Sequence, residues 1–244
     1  MNKFLSSCGI CSRRQADELI QAGRVKLNGV VVVQPGLKVD PHADVVEVDG
    51  QRVEPQGSSV IVAMYKPKGV LSTCRDPFGR PTVLDVLEQS KVRVPGRVYP
   101  VGRLDKDSEG LILLTNDGEL ANILMHPRYG VKKVYLAQVR GVPTSHALEA
   151  LKNGVSVEGA ICKAAEVKLL SAGRQRAELE LVMHEGRKRE IRLMCQAIGH
   201  PVLNLKRVQI GPVRLGQMQP GEVRSLTPEE LASIRQLKKG RPTR

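Results

Sequence analysis

Gly102-Arg103-Leu104-Asp105-Lys106-Asp107-Ser108-Glu109-Gly110 is the stretch around which the rest of the chain is organised. The apolar segment 98–101 leads into it, and Leu111-Ile112-Leu113-Leu114 follows it as a strongly apolar strand. Three acidic and two basic side chains therefore lie in a short loop between two segments that we expect to be buried. Catalytic side chains are often carried by loops on a rigid scaffold, and crowded charges favour perturbed ionisation. We therefore take this loop as the candidate site.

The composition is that of a strongly basic protein with few aromatic side chains. The 244 residues carry a formal net charge of +13, and aromatic residues make up 2% of them, with no tryptophan. A charge surplus of this size indicates a polyanionic partner, with nucleic acid as the first candidate, whereas a merely soluble basic protein is the alternative. The few rings argue against a protein that binds single strands by stacking many bases.

The sequence lacks the features that would indicate a membrane, a secretion pathway or a metal. No apolar run reaches the length of a membrane span, and residues 1–4 do not begin a secretion signal. Cys8 and Cys11 have the spacing of half a zinc site, but no second pair of ligands completes it. We therefore expect a cytoplasmic protein with reduced thiols, no bound metal and no membrane partner.

Residues 1–58 show the pattern of a compact helix-plus-hairpin module. Residues 12–22 have the apolar spacing of a helix, with Ser12 as its N-cap and Gly23 after its end. The Asn28-Gly29 dipeptide predicts a hairpin, and residues 45–48 predict a further strand.

This module resembles the alpha-L RNA-binding domain. Ser12-Arg13-Arg14, Gly23-Arg24-Val25 and Leu27-Asn28-Gly29 match the motifs of that domain. The resemblance, together with the hairpin, favours contacts to RNA phosphates from the module's basic side chains, which are Arg13, Arg14, Arg24 and Lys26. Taken alone, the Arg13-Arg14 pair is equally well explained as a solvated helix face.

A linker follows the module. Residues 54–59 are rich in proline, glycine and serine and have no apolar periodicity. We therefore place a second domain at residues 59–236 and a basic tail, which we expect to be disordered, at residues 237–244. Within the second domain, residues 66–69 predict a surface turn, and residues 185–192 predict the start of a basic helix.

The central stretch is part of a set of motifs that resembles the RsuA-type rRNA pseudouridine synthases, in particular their RluB-like branch. The motifs are Gly102-Arg103-Leu104-Asp105, Ser108-Glu109-Gly110-Leu111 and residues 115–120, and they occur in the order found in that family. The resemblance spans nearly the whole chain. It implies an α+β fold, in which a small alpha-L RNA-binding domain precedes a pseudouridine synthase domain with a mixed or antiparallel central sheet and flanking helices.

The resemblance also implies an activity, the isomerisation of one uridine in structured ribosomal RNA. This reaction moves the bond at C1′ from N1 to C5 of the uracil, oxidises nothing and releases nothing, so it needs no cofactor. Residues 76–82 and 125–127 favour large-subunit rRNA, with small-subunit rRNA and tRNA as alternatives, and a monomer is the default expectation. Two alternatives are a non-catalytic RNA-binding factor of ribosome assembly and a glycosylase, which would release free uracil.

Four residues receive roles in the pocket from this resemblance. Asp105 matches the nucleophile, which adds to uracil C6 or assists at C1′. Arg192 matches the arginine that keeps this carboxylate charged, although Arg187 and Arg189 are close enough in sequence to compete. Tyr135 matches the tyrosine that stacks on the uracil and helps to move the C5 proton. Arg103 is the candidate for holding the flipped nucleotide outside the RNA stack.

Further RNA contacts are expected from the second domain. Its candidates lie in the turn 66–69, in the rigid loop 75–81 and in the late basic segment, and they are Lys66, Arg80, Arg187, Lys188 and Arg189. The family usually has glutamine where this chain has Glu190. The RNA contacts of the late basic segment are therefore expected to differ from those of the family.

Overall fold

The structure, a computed structural model, describes residues 1–239, with side chains up to residue 237. Two compact units can be separated within the described chain. The first contains residues 1–60, 94–98 and 115–118, and the second contains residues 61–93, 99–114 and those from 119 onward. The domain boundary that the sequence predicts between residues 58 and 59 stays a prediction. Residues 240–244 of the predicted tail lie outside the described residues.

The first unit is a small module whose elements begin and end at local signals. Helices α1 (Asn2–Ser7) and α2 (Arg13–Gln21) precede an antiparallel sheet of β1 (Val25–Leu27), β2 (Val30–Val32), β3 (Val46–Val48) and β4 (Gln51–Arg52). Ser12 caps α2 as predicted, in a reciprocal capping box with Gln15. Asn28 and Gly29 both have positive φ angles, of 52° and 82°, which close the predicted hairpin between β1 and β2.

Aliphatic side chains form the core of the first unit. They come from both helices and the sheet, and the most buried are Leu5, Ala16, Ile20, Val25 and Val46. Asn116 ties the segment 115–118 to the end of the module, because its side-chain amide donates to Ser58 O (2.9 Å) and its side-chain oxygen accepts from Val60 N (2.8 Å).

The second unit alternates strands and helices. It begins with β5 (Ile61–Lys66), and α3 (Val83–Gln89) follows with Thr82 as its N-cap. The strands β6 (Tyr99–Val101) and β7 (Glu109–Thr115) flank the central loop. The later elements are α4 (Gly118–Met125), a 3-10 helix (Pro127–Tyr129), β8 (Lys133–Arg140), α5 (Ser145–Asn153), β9 (Val155–Val157), β10 (Ala160–Cys162), β11 (Glu166–Ala172), β12 (Arg176–Met183), α6 (Glu190–Ala197), β13 (Val202–Ile210), β14 (Val213–Arg214), β15 (Val223–Ser225) and α7 (Pro228–Lys239).

A mixed sheet forms the centre of the second unit. Among the described residues it has nine strands, in the order β11-β12-β8-β13-β7-β5-β15, with β14 beside β13 and β6 beside β7. Strand β13 runs parallel to β7 and antiparallel to β8. Two aliphatic clusters pack the helices on the sheet, one with α4 and α7 and the other with α5 and α6. The α+β fold with a mixed central sheet and flanking helices is therefore confirmed.

The segment 185–189 is not the start of a helix, and this prediction is wrong. Helix α6 begins at Glu190, because Arg189 adopts a left-handed conformation with a φ angle of 56°. The side chain of Glu190 accepts a hydrogen bond from Arg187 N (3.0 Å) and so closes the segment into a loop. The basic side chains of this segment are therefore carried by a loop.

Helix α7 (Pro228–Lys239) begins after a capping residue, Thr227. Thr227 N donates to the Glu230 carboxylate (2.9 Å), and Glu230 N donates to Thr227 Oγ1 (3.2 Å). None of the helices in residues 1–239 has the length and apolar character that a bilayer crossing requires.

Candidate active site

The loop between β6 and β7 carries Asp105 and is held from two sides. Ser72 Oγ donates to Leu104 O (2.9 Å) and accepts from Leu104 N (3.0 Å). Gly69 N donates to Lys106 O (2.8 Å), and the Leu104 side chain is buried in the core. The backbone is thus fixed before and after Asp105, while its carboxylate side chain stays 32% exposed. The frame presents this carboxylate to solvent and to a substrate.

Arg192, on α6, faces the carboxylate of Asp105. Its Nε lies 4.0 Å from Asp105 Oδ2, and its Nη2 donates to Asp107 O (3.3 Å) and Ser108 Oγ (3.2 Å). Burial, followed by the charge of Arg189, lowers the pKa of the Arg192 guanidinium, whereas the two aspartates oppose this shift. The structure therefore brings together the residues that the sequence predicts as nucleophile and partner, with Arg192 bound to the loop that carries Asp105.

Tyr135 lies on β8 and is buried beside an arginine that the sequence prediction missed. Arg207, on β13, is 3% exposed, and its Nη1 donates to Tyr135 Oη at 3.4 Å. Its Nε donates to Leu111 O (2.7 Å), and its guanidinium carbon lies 5.9 Å from the centroid of the tyrosine ring. Among the described residues, the buried Nη2 of Arg207 has no hydrogen-bond partner. Arg207 therefore holds the phenol of Tyr135 and the backbone of β7 from inside the protein.

Gly110 permits the close approach that puts Arg207 in this place. The two residues are paired across the parallel strands β7 and β13. A Cβ atom on Gly110 would lie 2.3 Å from Arg207 O and 2.8 Å from Arg207 N, and the φ angle of Gly110 is +107°. Only glycine fits this position, because the clashing atoms are backbone atoms and the φ angle is unfavourable for L residues.

Lys66 is not a surface residue, and the prediction that it contacts RNA is wrong. It is the last residue of the fully buried strand β5 and is 0% exposed. Its Nζ donates to Pro67 O (2.8 Å) and Val70 O (2.8 Å), so the ammonium group holds the turn that the sequence predicts. Burial lowers its pKa to about 8, and the negative charge of Asp105 opposes this shift. Lys66 therefore supports the loop frame from inside the protein.

Lys133 and Glu190 are two further buried charged groups beside the pocket. Lys133 is 8% exposed and Glu190 is 4% exposed. Burial lowers the pKa of Lys133, and the charge of Arg207 lowers it further. Burial raises the pKa of the Glu190 carboxyl group, whereas the hydrogen bond from Arg187 N opposes this shift.

A cavity of about 1070 Å³ lies in the second unit, and Lys133 and Glu190 are among the residues that line it. Asp105, Tyr135 and Arg207 line it, and so do Arg103 and the basic loop residues Arg187, Lys188 and Arg189. Arg103, Arg187, Lys188 and Arg189 are all exposed. The Arg187 Nε lies 3.5 Å from Glu185 Oε2, which partly offsets its charge. The cavity is therefore rimmed by cations that suit a phosphate backbone.

The other predicted RNA contacts are exposed basic side chains outside this cavity. Arg13, Arg14 and Lys26 lie on the surface of the first unit, and Arg24 pairs there with Asp49 at 2.5 Å. In the second unit, Arg80 pairs with Asp76 at 2.6 Å. Their roles in RNA binding stay predictions, and the two ion pairs reduce the free charge of Arg24 and Arg80.

The described residues include no cluster of three or more histidine, cysteine, aspartate or glutamate side chains that could hold a metal ion. The five cysteines, which all belong to the described residues, form no disulfide bond. Burial raises the pKa of Cys195 to about 12 and that of Cys8 to about 11, so both thiols are protonated and unreactive at neutral pH. Asp105 contributes a carboxylate to the cavity, Tyr135 contributes a phenol, and Arg103 and Arg207 contribute guanidinium groups.

Comparison with known families identifies the class of this protein. The model for RNA pseudouridylate synthases matches residues 60–197, and the model for the S4 domain matches residues 2–45. The chain belongs to the RNA pseudouridylate synthase family and carries an S4 domain at its N-terminal end. This result confirms the family and the order of domains that the sequence predicts. The S4 domain lies at the N-terminal position where the sequence predicts the alpha-L RNA-binding domain.

Individual relatives cover nearly the whole chain. An uncharacterised RNA pseudouridine synthase of Aquifex aeolicus is 45% identical, over 96% of this chain and 92% of the relative. The ribosomal large subunit pseudouridine synthase B of Bacillus subtilis is 43% identical, over 97% of this chain and 96% of the relative. A crystal structure of a pseudouridylate synthase has a TM-score of 0.67 at 26% identity and covers 96% of this chain and 98% of that protein.

Proposed function

We propose that this enzyme converts one uridine of ribosomal RNA, in the large subunit, to pseudouridine, with Asp105 as the nucleophile. The observation that carries the proposal is the placement of the Asp105 carboxylate on a rigid loop, 4.0 Å from Arg192, in a cavity rimmed by cations. The large-subunit substrate is supported by the name of the Bacillus subtilis relative and by the RluB-like motifs of the sequence. A cytoplasmic monomer is part of this proposal.

The chemistry fits the groups that line the cavity. The carboxylate attacks the flipped uridine at C6 of the base or at C1′ of the ribose, and the N1–C1′ bond breaks. The uracil rotates, C5 bonds to C1′, and the bond to the Asp105 oxygen breaks, which restores the free carboxylate. The C5 proton leaves and N1 gains a proton, so the reaction is balanced without an oxidant. Tyr135 covers the base, and its hydroxyl, bound by Arg207, lies where it can assist the proton transfer. The free Nη2 of Arg207 suits a carbonyl oxygen of the uracil.

Recognition of the RNA is divided between two surfaces in this proposal. The exposed basic side chains of the S4 domain bind phosphates of a structured region of the RNA. The rim residues Arg187, Lys188 and Arg189 bind the backbone near the target, and Arg103 holds the nucleotide in its flipped position.

The test is the Asp105→Asn variant, which keeps the size of the side chain but removes its negative charge. We expect no pseudouridine to form, with RNA affinity within a few-fold of the unsubstituted enzyme, because phosphate contacts dominate the binding. Chemical mapping of pseudouridine in unmodified rRNA transcripts measures the first quantity, and filter binding at fixed salt measures the second. Asp107→Asn, in the same loop, is the matched control and should stay active.

The outcomes separate this function from the alternatives. A variant without the Asp105 carboxylate that still modifies RNA would falsify the assignment of the nucleophile. Release of free uracil by the unsubstituted enzyme would indicate a glycosylase. An unsubstituted enzyme that binds rRNA without changing any uridine would indicate a non-catalytic assembly factor.

A further inference from the structure

The loop 75–81 presents an aromatic ring to solvent. Phe78 is one of two phenylalanines in a chain without tryptophan, and it is 79% exposed. This exposure is the highest among the large hydrophobic side chains that the structure describes. A single exposed apolar side chain is common on protein surfaces, so exposure alone does not indicate a function.

The frame of this loop is unusually well fixed. The carboxylate of Asp76, 5% exposed, accepts hydrogen bonds from Phe78 N (3.0 Å), Arg80 N (3.1 Å), Arg80 Nε (3.1 Å) and Arg80 Nη2 (2.6 Å). The bonds from the Arg80 side chain, with the backbone bonds, lower the pKa of Asp76 to about 2, so the frame persists at every physiological pH. Gly79, with a φ angle of +69°, completes the turn. The loop therefore holds the Phe78 ring in solvent before any ligand binds, which reduces the conformational entropy lost on binding.

The loop that carries Phe78 begins in the wall of the cavity of Asp105. Residues Leu71 to Asp76 form part of this wall, and Phe78 follows Asp76 by two residues. Two residues span at most about 7 Å of chain, so the Cα atom of Phe78 lies within that distance of the Cα atom of Asp76. The loop is therefore anchored at the cavity and carries the ring in its neighbourhood.

The surroundings of the ring favour a nucleotide over an apolar protein surface. The guanidinium carbon of Arg80 lies 5.2 Å from the centroid of the Phe78 ring. Within residues 71–82, Phe78 is the large hydrophobic side chain that the structure describes as exposed, and Arg75 is exposed in the same segment. A protein interface needs a wider apolar patch than one ring, whereas a nucleobase stacks on a single ring and brings a phosphate for the neighbouring cations.

We propose that Phe78, with Arg80 beside it, is a stacking site for a nucleobase of the RNA strand that borders the target uridine. The inference rests on the function proposed above. Removal of a uridine from its stack leaves neighbouring bases with exposed faces, and an aromatic ring covers such a face without regard to base identity. Phe78 thus stabilises the opened RNA, whereas the groups inside the cavity act on the extruded uridine.

The absence of tryptophan from the sequence provides a direct test. The Phe78→Trp variant contains one indole, and stacking on a base should quench its fluorescence and protect it from iodide. Unmodified large-subunit rRNA transcribed in vitro is the probe. Leu170→Trp is the matched control, because Leu170 is 49% exposed on the edge strand β11 and does not line the cavity. We expect quenching and protection for Trp at position 78 and neither for Trp at position 170.

A second series measures the contribution of the ring. We expect Phe78→Ala and Phe78→Leu to weaken RNA affinity by between about five-fold and about one hundred-fold, because neither side chain stacks. Phe78→Trp should bind RNA with the affinity of the unsubstituted protein, because an indole stacks as well as a phenyl ring. KM should rise with little change in kcat. The thermal midpoint should stay unchanged, since the ring is exposed.

Two results overturn the stacking site. The first is the absence of quenching at position 78 in a protein that isomerises the same transcript, which leaves the proposed function intact. The second is full affinity in Phe78→Leu, which indicates an apolar contact without stacking. If the unsubstituted enzyme modifies no transcript, the proposed function fails, whereas quenching at position 78 in that case still supports the contact with a base.

Discussion

Replacing Lys66 with methionine tests whether a buried ammonium group supports the loop that carries Asp105. Methionine has a similar length and no charge, so the variant lacks the titration of Lys66. Burial lowers the pKa of Lys66 to about 8, from an ordinary value of 10.5. A difference of about 2.5 pKa units corresponds to about 3 kcal/mol, since one unit is about 1.4 kcal/mol.

The sign of the effect follows from proton binding. Below about pH 8 Lys66 is protonated in the folded and in the unfolded state, and the folded state is disfavoured by the whole of the about 3 kcal/mol. As the pH rises from about 8 to about 10.5, the folded chain loses this proton before the unfolded chain does, so the stability of the protein increases. About 2 kcal/mol of the increase should occur between about pH 7 and about pH 9.5.

The assay is urea unfolding followed by circular dichroism at several pH values, because the chain has no tryptophan. The free energy of unfolding of Lys66→Met is subtracted from that of the unsubstituted protein, so that the titration of other groups, such as Lys133, cancels. Lys68→Met is the matched control, since Lys68 is a neighbouring lysine with a half-exposed side chain. Parallel pH curves for the unsubstituted protein and Lys66→Met would refute the reasoning.

Two further predictions concern the contact between β7 and β13. We expect Gly110→Ala to lower the free energy of unfolding by about 4 kcal/mol or more, because it combines an unfavourable φ angle with a backbone clash. The control is Gly216→Ala, where the φ angle is +59° and nothing lies within 4 Å of the added Cβ atom. This control should lower the free energy of unfolding by about 1 kcal/mol. Equal losses in urea unfolding would contradict the importance of the close approach. We expect Arg207→Lys to reduce kcat by about 10- to 100-fold with little change in KM, because lysine cannot bind both Leu111 O and Tyr135 Oη. In a Tyr135→Phe background the same substitution should add little to the loss, and additive losses in initial rates of pseudouridine formation would exclude this coupling.

The features that could be predicted from the sequence are those that depend on local signals. The capping box of Ser12, the Asn28-Gly29 hairpin and the cap of α7 at Thr227 are each determined by a few adjacent residues. The resemblance to a known family predicts that Arg192 faces Asp105, with Arg187 and Arg189 as competitors, although the paired residues are far apart in the chain.

The features that could not be predicted depend on which way individual side chains turn in the folded chain. Lys66 lies in a turn motif with a second lysine, and the sequence does not show that its ammonium group folds back onto two carbonyl groups inside the protein. Arg207 follows Lys206 on a strand with charged residues, so the pattern does not show which of the two faces the pocket. The left-handed conformation of Arg189, because of which the helix begins later than predicted, likewise depends on the side chain of Glu190 and the loop before it.

The position of β13 has a consequence for how the enzyme is made. This strand is synthesised after β7 and β8, yet it lies between them in the sheet. Until residues 202–210 emerge, the edges of β7 and β8 that pair with β13 expose their hydrogen-bonding groups. The sheet, and the cavity that Arg207 lines, are therefore completed only after β13 has been synthesised.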